Sequence, residues 1–196
     1  IVKKDGAWYF DTDAGKEELL NRRIGRNELA TLETVRAYVA AQREYASRDR
    51  DGDQVLQFAQ KFPSSPGKKD GLYWPPELDG EISPLGPLVA DARSEGYRKK
   101  NRDEPVPYHG YYFKILKGQG PDAPLGAMDF MVGGAMLGGF ALVAAPAEHG
   151  VTGIQTFIVS WEGVVYQKDL GDQTLDTFRT MELYNPASTW TAVEQP

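Results

Sequence analysis

The chain has no cysteine among its 196 residues. That excludes disulfides, thiolate zinc sites and cysteine nucleophiles together, and leaves the compartment open. Histidine is nearly as scarce, with His109 and His149 the two present. A long hydrophobic run is also missing. The longest weakly charged stretch, residues 123–147, is broken by Asp129, several glycines and two prolines, whereas a membrane span needs about 20 continuous apolar residues. Positive charge is in deficit: 22 Lys and Arg against 28 Asp and Glu give a net charge of -6, which disfavours a nucleic-acid partner. The basic cluster Arg98, Lys99 and Lys100 is diluted by Asp103 and Glu104 and reads as a solvated loop. No methionine or signal peptide stands before Ile1. The expectation is a processed or truncated product whose native N-terminal segment is missing.

What is present suits a folded protein. Hydrophobic residues make up 41% and charged residues 26%, a balance outside the disordered range. Residues 1–26 read as a hairpin and a short helix, a remnant of or link to a missing N-terminal region. Val2, Trp8 and Phe10 flank the turn Lys4-Asp5-Gly6, and Asp13 is placed to cap a helix through Asn21. Residues 27–196 read as the main α+β domain. Asn27 to Arg48 reads as the long helix, with Asn27 a good cap: the stretch has neither glycine nor proline, and Leu29, Leu32, Val35, Tyr38, Val39 and Tyr45 form one apolar stripe. A second, shorter helix is expected over Gln54 to Gln60.

From Pro63 to Pro107 most of the chain's prolines gather among Gly, Ser, Asp and Lys. This predicts a long Pro-rich loop with a short helix near Leu85 to Glu95, pinned by Tyr73, Trp74 and Leu78. Beyond it, Tyr108–Leu116, Leu137–Ala145, Gly153–Ser160 and Gly163–Asp169 read as four strands of an antiparallel meander, closed by a helix over Asp176–Leu183. The fold class is therefore α+β, a long helix packed on a C-terminal four-stranded antiparallel sheet. The expected core is Leu32, Val35, Val39, Phe113, Ile115, Phe140, Leu142, Phe157, Val159 and Val165.

Three features carry candidate chemistry. In YASRDRDGDQVLQFAQKF, Asp49, Asp51 and Asp53 fill positions 1, 3 and 5 of a helix–loop–helix calcium site. Gln54 stands where glycine is required and Gln60 where a bidentate glutamate is required, so a polar helix-ending turn is the first reading and calcium the alternative. Arg48 and Arg50 are near enough in sequence to neutralise the aspartates without a metal. His109 and His149, with Tyr111, are candidates for a ligand cleft between the 63–107 loop and the sheet, against the plainer reading of histidines hydrogen-bonded at a sheet edge. The glycines between 118 and 139 separate strands rather than open a helix, so turns explain them better than a phosphate cradle.

The runs NRRIGRNELATLETVRAYVAAQREYASRDRDGD, YHGYYFKILKGQGPDAPLGAMDFMVGG and GGFALVAAPAEHGVTGIQTFIVSWEGVVYQKDLG resemble the bacterial domain-of-unknown-function 2950 family. The resemblance covers nearly the whole chain and implies a secreted or periplasmic protein of a Gram-negative bacterium, with no activity, cofactor or catalytic residue attached. The helix-then-strands order is also similar to the globular domains of type IV pilins and pseudopilins. That similarity implies a four-stranded sheet on an N-terminal helix, here without the apolar helix half that builds a filament. The resulting expectation is a non-enzymatic binding or scaffolding protein of the envelope, with an unknown envelope protein or small ligand as partner and no cofactor other than calcium. The alternative is an enzyme or small-ligand binder using the cleft.

Overall fold

Asp5 and Gly6 both take positive φ, 52° and 82°, the twist of a two-residue hairpin turn. They join β1 (Val2–Lys4) to β2 (Ala7–Tyr9) in an exposed hairpin with Val2 opposite Tyr9. The computed structural model describes residues 1–50, 52–78, 80–94 and 106–194. After the hairpin, Asp11 rather than Asp13 caps a long helix by accepting the Ala14 N–H at 3.0 Å. Helix α1 (Thr12–Tyr45) then runs unbroken for 34 residues, about 50 Å. The helix expected to end at Asn21 and the one expected to begin at Asn27 are a single element. Asn27 is not a cap, because its Nδ2 donates to the Thr152 carbonyl at 2.8 Å. Gly25 is carried within the helix at a cost of about 1 kcal/mol.

Burial begins half-way along α1. Thr31, Thr34, Val35, Tyr38, Val39, Ala41, Gln42 and Tyr45 are buried, whereas Leu29, expected on the same stripe, is 65% exposed. Residues 54–60 form no helix. They run extended beside α1, where the buried Gln42 side chain pairs with both backbone groups of Ala59: Nε2 donates to the carbonyl and Oε1 accepts the N–H, each at 2.8 Å. The Phe58 N–H turns the other way, to the Met136 carbonyl.

Downstream come α2 (Gly86–Ser94), β3 (Tyr111–Leu116), the two-stranded pairs β4 (Gly118–Gln119) with β5 (Met128–Asp129) and β6 (Met131–Val132) with β7 (Ala135–Met136), then β8 (Ala141–Pro146), β9 (Gln155–Ser160), β10 (Val165–Asp169), α3 (Thr174–Thr180) and β11 (Thr191–Ala192). The main sheet has the order β11-β10-β9-β8-β3, every neighbour antiparallel. Among the described residues it has five strands rather than four. The chain leaves α3 and returns to place Ala192 and Thr191 against Tyr166 and Gln167.

Strands β8 and β9 are buried along almost their whole length because both faces of the sheet are covered. Glu28 of α1 reaches Tyr111 on the face shared with Phe113, Leu142 and Phe157. On the opposite face, Phe178 of α3 lies 6.3 Å from the Tyr112 ring. Of the expected core, Val35, Val39, Phe140, Leu142, Phe157, Val159 and Val165 are buried, and Leu32, Phe113 and Ile115 are half-buried against it.

Gln42→Ala strands the Ala59 N–H and C=O without water and removes a third bond, to Tyr38 Oη. Urea unfolding should show a loss of about 2–4 kcal/mol. Leu29→Ala should stay within about 0.5 kcal/mol. Equal losses at the two positions would refute this account of the packing.

Candidate functional site

The carboxylates of the aspartate loop serve the loop's own backbone. Asp49 accepts the N–H groups of Gly52 at 2.7 Å and Gln54 at 2.9 Å, and Asp53 accepts that of Val55 at 2.8 Å. Asp51 lies outside the described residues. Gln60 is engaged elsewhere: its amide donates to the Gly134 carbonyl at 2.7 Å and accepts from Lys117 at 3.1 Å. Arg48 and Arg50, expected to neutralise the aspartates, meet Glu81 instead, joined there by Lys69. The Arg50 side chain, 4% exposed, lies against the Tyr45 and Trp74 rings, 5.8 and 5.3 Å from their centres, and such contacts strengthen when desolvated. The Lys69 hydrogen bond leads in holding the Glu81 carboxyl below its ordinary range; burial opposes it and Arg50 adds to it. Among the described residues no group of three His, Asp or Glu is arranged to hold a metal.

His109, Tyr111 and His149 each have a local part. His109, at φ 47°, and Gly110, at 75°, make the two-residue turn between Tyr108 and Tyr111, which exchange hydrogen bonds of 2.9 and 3.0 Å. The His109 ring lies 4.1 Å from that of Tyr108. Tyr111 donates to the Gln155 carbonyl at 3.0 Å. Burial first, and then the Glu28 charge, push its phenol well above the ordinary tyrosine range. Its oxygen comes so close to Gly153 that a Cβ there would lie 2.1 Å away, so only glycine fits. His149 Nε2 lies 2.8 Å from Asp169 Oδ1, which also accepts the Gly171 N–H. The Gly171 bond leads in lowering the Asp169 carboxyl; burial opposes it and His149 assists.

A cleft does lie between the 63–107 segment and the sheet, with a volume of about 1200 Å³, but none of these three residues lines it. One wall is Phe62, Pro63, Tyr73 and Leu85 with Leu88, Val89 and Ala92 of α2. The floor is Tyr112, Phe113 and Lys114 of β3, with Thr34 and Tyr38 of α1 behind them. The other wall is Leu175, Phe178 and Arg179 of α3. Among the described lining residues there is no carboxylate and no imidazole, and Lys114 and Arg179 supply the charge. Lys114 donates to the Arg179 carbonyl at 3.0 Å, with its ammonium 5.6 Å from the centre of the Phe178 ring. These walls meet only through tertiary packing. The sequence signal for them was the aromatic alternation of residues 108–116 and the placing of the 63–107 segment against the sheet.

A second, polar depression of about 670 Å³ brings Asp53 and Gln60 near Lys61, Asp70 and Lys117. Lys61 pairs with Asp70 at 2.9 Å, and the Ser65 N–H donates to the same carboxylate at 2.7 Å. Burial pushes the Asp70 carboxyl up, but the bonds from Lys61 and Ser65 outweigh it and bring it down to about 2 from an ordinary 3.8.

Two outcomes follow from this chemistry. A carboxyl whose pKa is lower in the folded state stabilises above the unfolded pKa, and that contribution is lost as pH falls through the folded one. Between pH 3.8 and about 2, the native chain should therefore lose stability more steeply than Asp70→Asn in acid-unfolding curves. For the aspartate loop, Asp49→Ala removes the carboxylate acceptor of two backbone N–H groups and should cost about 1–2 kcal/mol. Replacing EDTA by millimolar calcium should leave the native Tm unchanged. A rise in Tm that Asp49→Ala abolishes would establish a calcium site instead.

No curated protein and no solved structure matches the chain. Residues 1–193 match the model of a family described as "Protein of unknown function (DUF2950)". The match runs from the exposed hairpin through α1 and the cleft to the last strand of the sheet, and the chain belongs to that family.

Proposed function

We propose that the protein is a non-enzymatic binding protein of the bacterial envelope that holds an apolar ligand in the cleft along β3. The observation that carries this reading is the lining, with aromatic and aliphatic walls on both sides and two cations. Ligand sites are concave and mainly apolar, with a few polar groups that orient the ligand. An enzyme in the same cleft has less support, because His109 and His149 are engaged at turns outside it. A pilin-like packing of helix on sheet belongs to the same reading. The exposed first half of α1 carries Lys16, Glu17, Glu18, Arg22 and Arg23, which argues against a filament-forming helix.

An apolar fluorescent anion such as anilinonaphthalene sulfonate should bind saturably, one molecule per chain. A charge buried in an apolar wall is costly. Leu88→Asp and Leu175→Asp, from opposite walls, should each weaken binding by about tenfold or more, equivalent to about 1.4 kcal/mol, with the circular dichroism of the fold unchanged. Binding that ignores both substitutions would place the ligand elsewhere and defeat the proposal.

A further inference from the structure

We propose that the ligand is an extended polypeptide segment of a partner protein, added as a sixth strand to the free edge of β3. The inference rests on the reading of the cleft as a binding site and names the chemistry of its occupant. The argument begins with strand parity. Tyr111 exchanges both backbone hydrogen bonds with Tyr108, away from β8. Outward and inward groups alternate along an antiparallel strand, so the N–H and C=O of Phe113 and Ile115 also face away from β8. Among the described residues nothing hydrogen-bonds to them. Among the described residues before Tyr108, Val106 and Pro107 do not extend the pairing beyond the Tyr108–Tyr111 bridge.

The edge at Phe113 is set between two apolar walls. Leu88 and Tyr73 line it from the segment before β3, and Leu175 and Phe178 line it from α3, with Phe178 on the Tyr112 and Lys114 face. Side chains of a strand point alternately to opposite faces, so an added strand fills both walls while its backbone pairs with Phe113 and Ile115. An acyl chain fills the walls too, but it covers those N–H and C=O groups without bonding them, which is unfavourable. The charge of the lining specifies more. Lys114 and Arg179 are both cationic, and their present carboxylate partners are the exposed Glu182 at 3.9 Å and the exposed Asp176 at 3.2 Å, so an acidic residue on the α3 side of the incoming strand replaces a solvent-screened partner. A lysine on an edge strand commonly guards it against pairing. Here the Lys114 ammonium is turned to the Arg179 carbonyl and the Phe178 ring instead.

The test uses the whole chain with three fluorescein-labelled heptapeptides of valine, leucine and threonine that differ in the position of one glutamate. Analogues N-methylated at alternate residues and sodium oleate serve as comparisons. The expected result is saturable binding of at least one peptide, weakened about thirtyfold by N-methylation, the worth of two hydrogen bonds. The Phe113 and Ile115 amides should gain about tenfold protection from hydrogen exchange in the complex. Oleate binding without peptide binding, or peptide binding without protection of those amides, would overturn strand addition and leave the apolar-ligand reading standing. If neither peptide nor oleate binds, both fail.

Discussion

The pairing of Gln42 with Ala59 is the interaction on which the rest of the structure turns. A buried primary amide has the donor–acceptor layout of a peptide unit, and Gln42 uses it to bond both backbone groups of Ala59. Its Nε2 also donates to Tyr38 Oη, and that hydroxyl donates to the Ala141 carbonyl of β8. One short chain of hydrogen bonds thus links α1, the extended segment after it and the central sheet. Burial pushes the Tyr38 phenol well above the ordinary tyrosine range, opposed by the Gln42 bond, so it stays a neutral donor. Every member of this network is satisfied, which is the condition for buried polar groups to stabilise rather than destabilise a core. The segment fixed at Ala59 leads directly to Phe62 and Pro63, the first residues of the cleft wall.

The helix is fastened a second time, about four turns earlier. Glu28 accepts the N–H groups of Ile154 and Gln155, both at 2.9 Å, while Asn27 holds the Thr152 carbonyl. The turn they grip contains Gly153, against which the Tyr111 hydroxyl is packed. Two attachments about 20 Å apart along a helix, at 1.5 Å per residue, fix its angle across the sheet. They also explain why burial on α1 starts near residue 30: the earlier part of the helix has no sheet beneath it.

How much of this was legible in the sequence depends on the range of the interaction concerned. The stripe from Val35 to Tyr45 and the apolar strands near 141–146 and 155–160 are written in local periodicity, and they are where the fold places them. The helix start expected at Asn27 fails because asparagine has the chemistry of a cap, and only the distant Thr152 reveals its other use. Residues 54–60 have helical spacing, but a two-point bond to a neighbouring helix outweighs weak local propensity. Strand β11 is two residues long, too short to carry a period. The lining of the cleft is not legible in this way, since histidines attract attention by type while Leu88, Phe113 and Phe178, which line it, do not.

The proline-rich wall shows how order arises without regular secondary structure. Leu72 and Tyr73 donate to the carbonyls of Lys61 and Phe62, Ser64 donates back to Tyr73, and Leu85 donates to Leu72. Proline fixes φ along the segment and reduces the freedom lost on folding. Trp74, fully buried, donates to the Glu81 carbonyl, and the Glu81 carboxylate gathers Arg48, Arg50 and Lys69, the last two against the same ring. The aromatic that anchors the segment is therefore also the platform for its cations. Tyr73, next to Trp74, is left half-buried on the cleft side. This part of the wall is held by bonds that do not involve the cleft, so an occupant need not order it, and the entropy cost that normally weakens binding to irregular segments is reduced there.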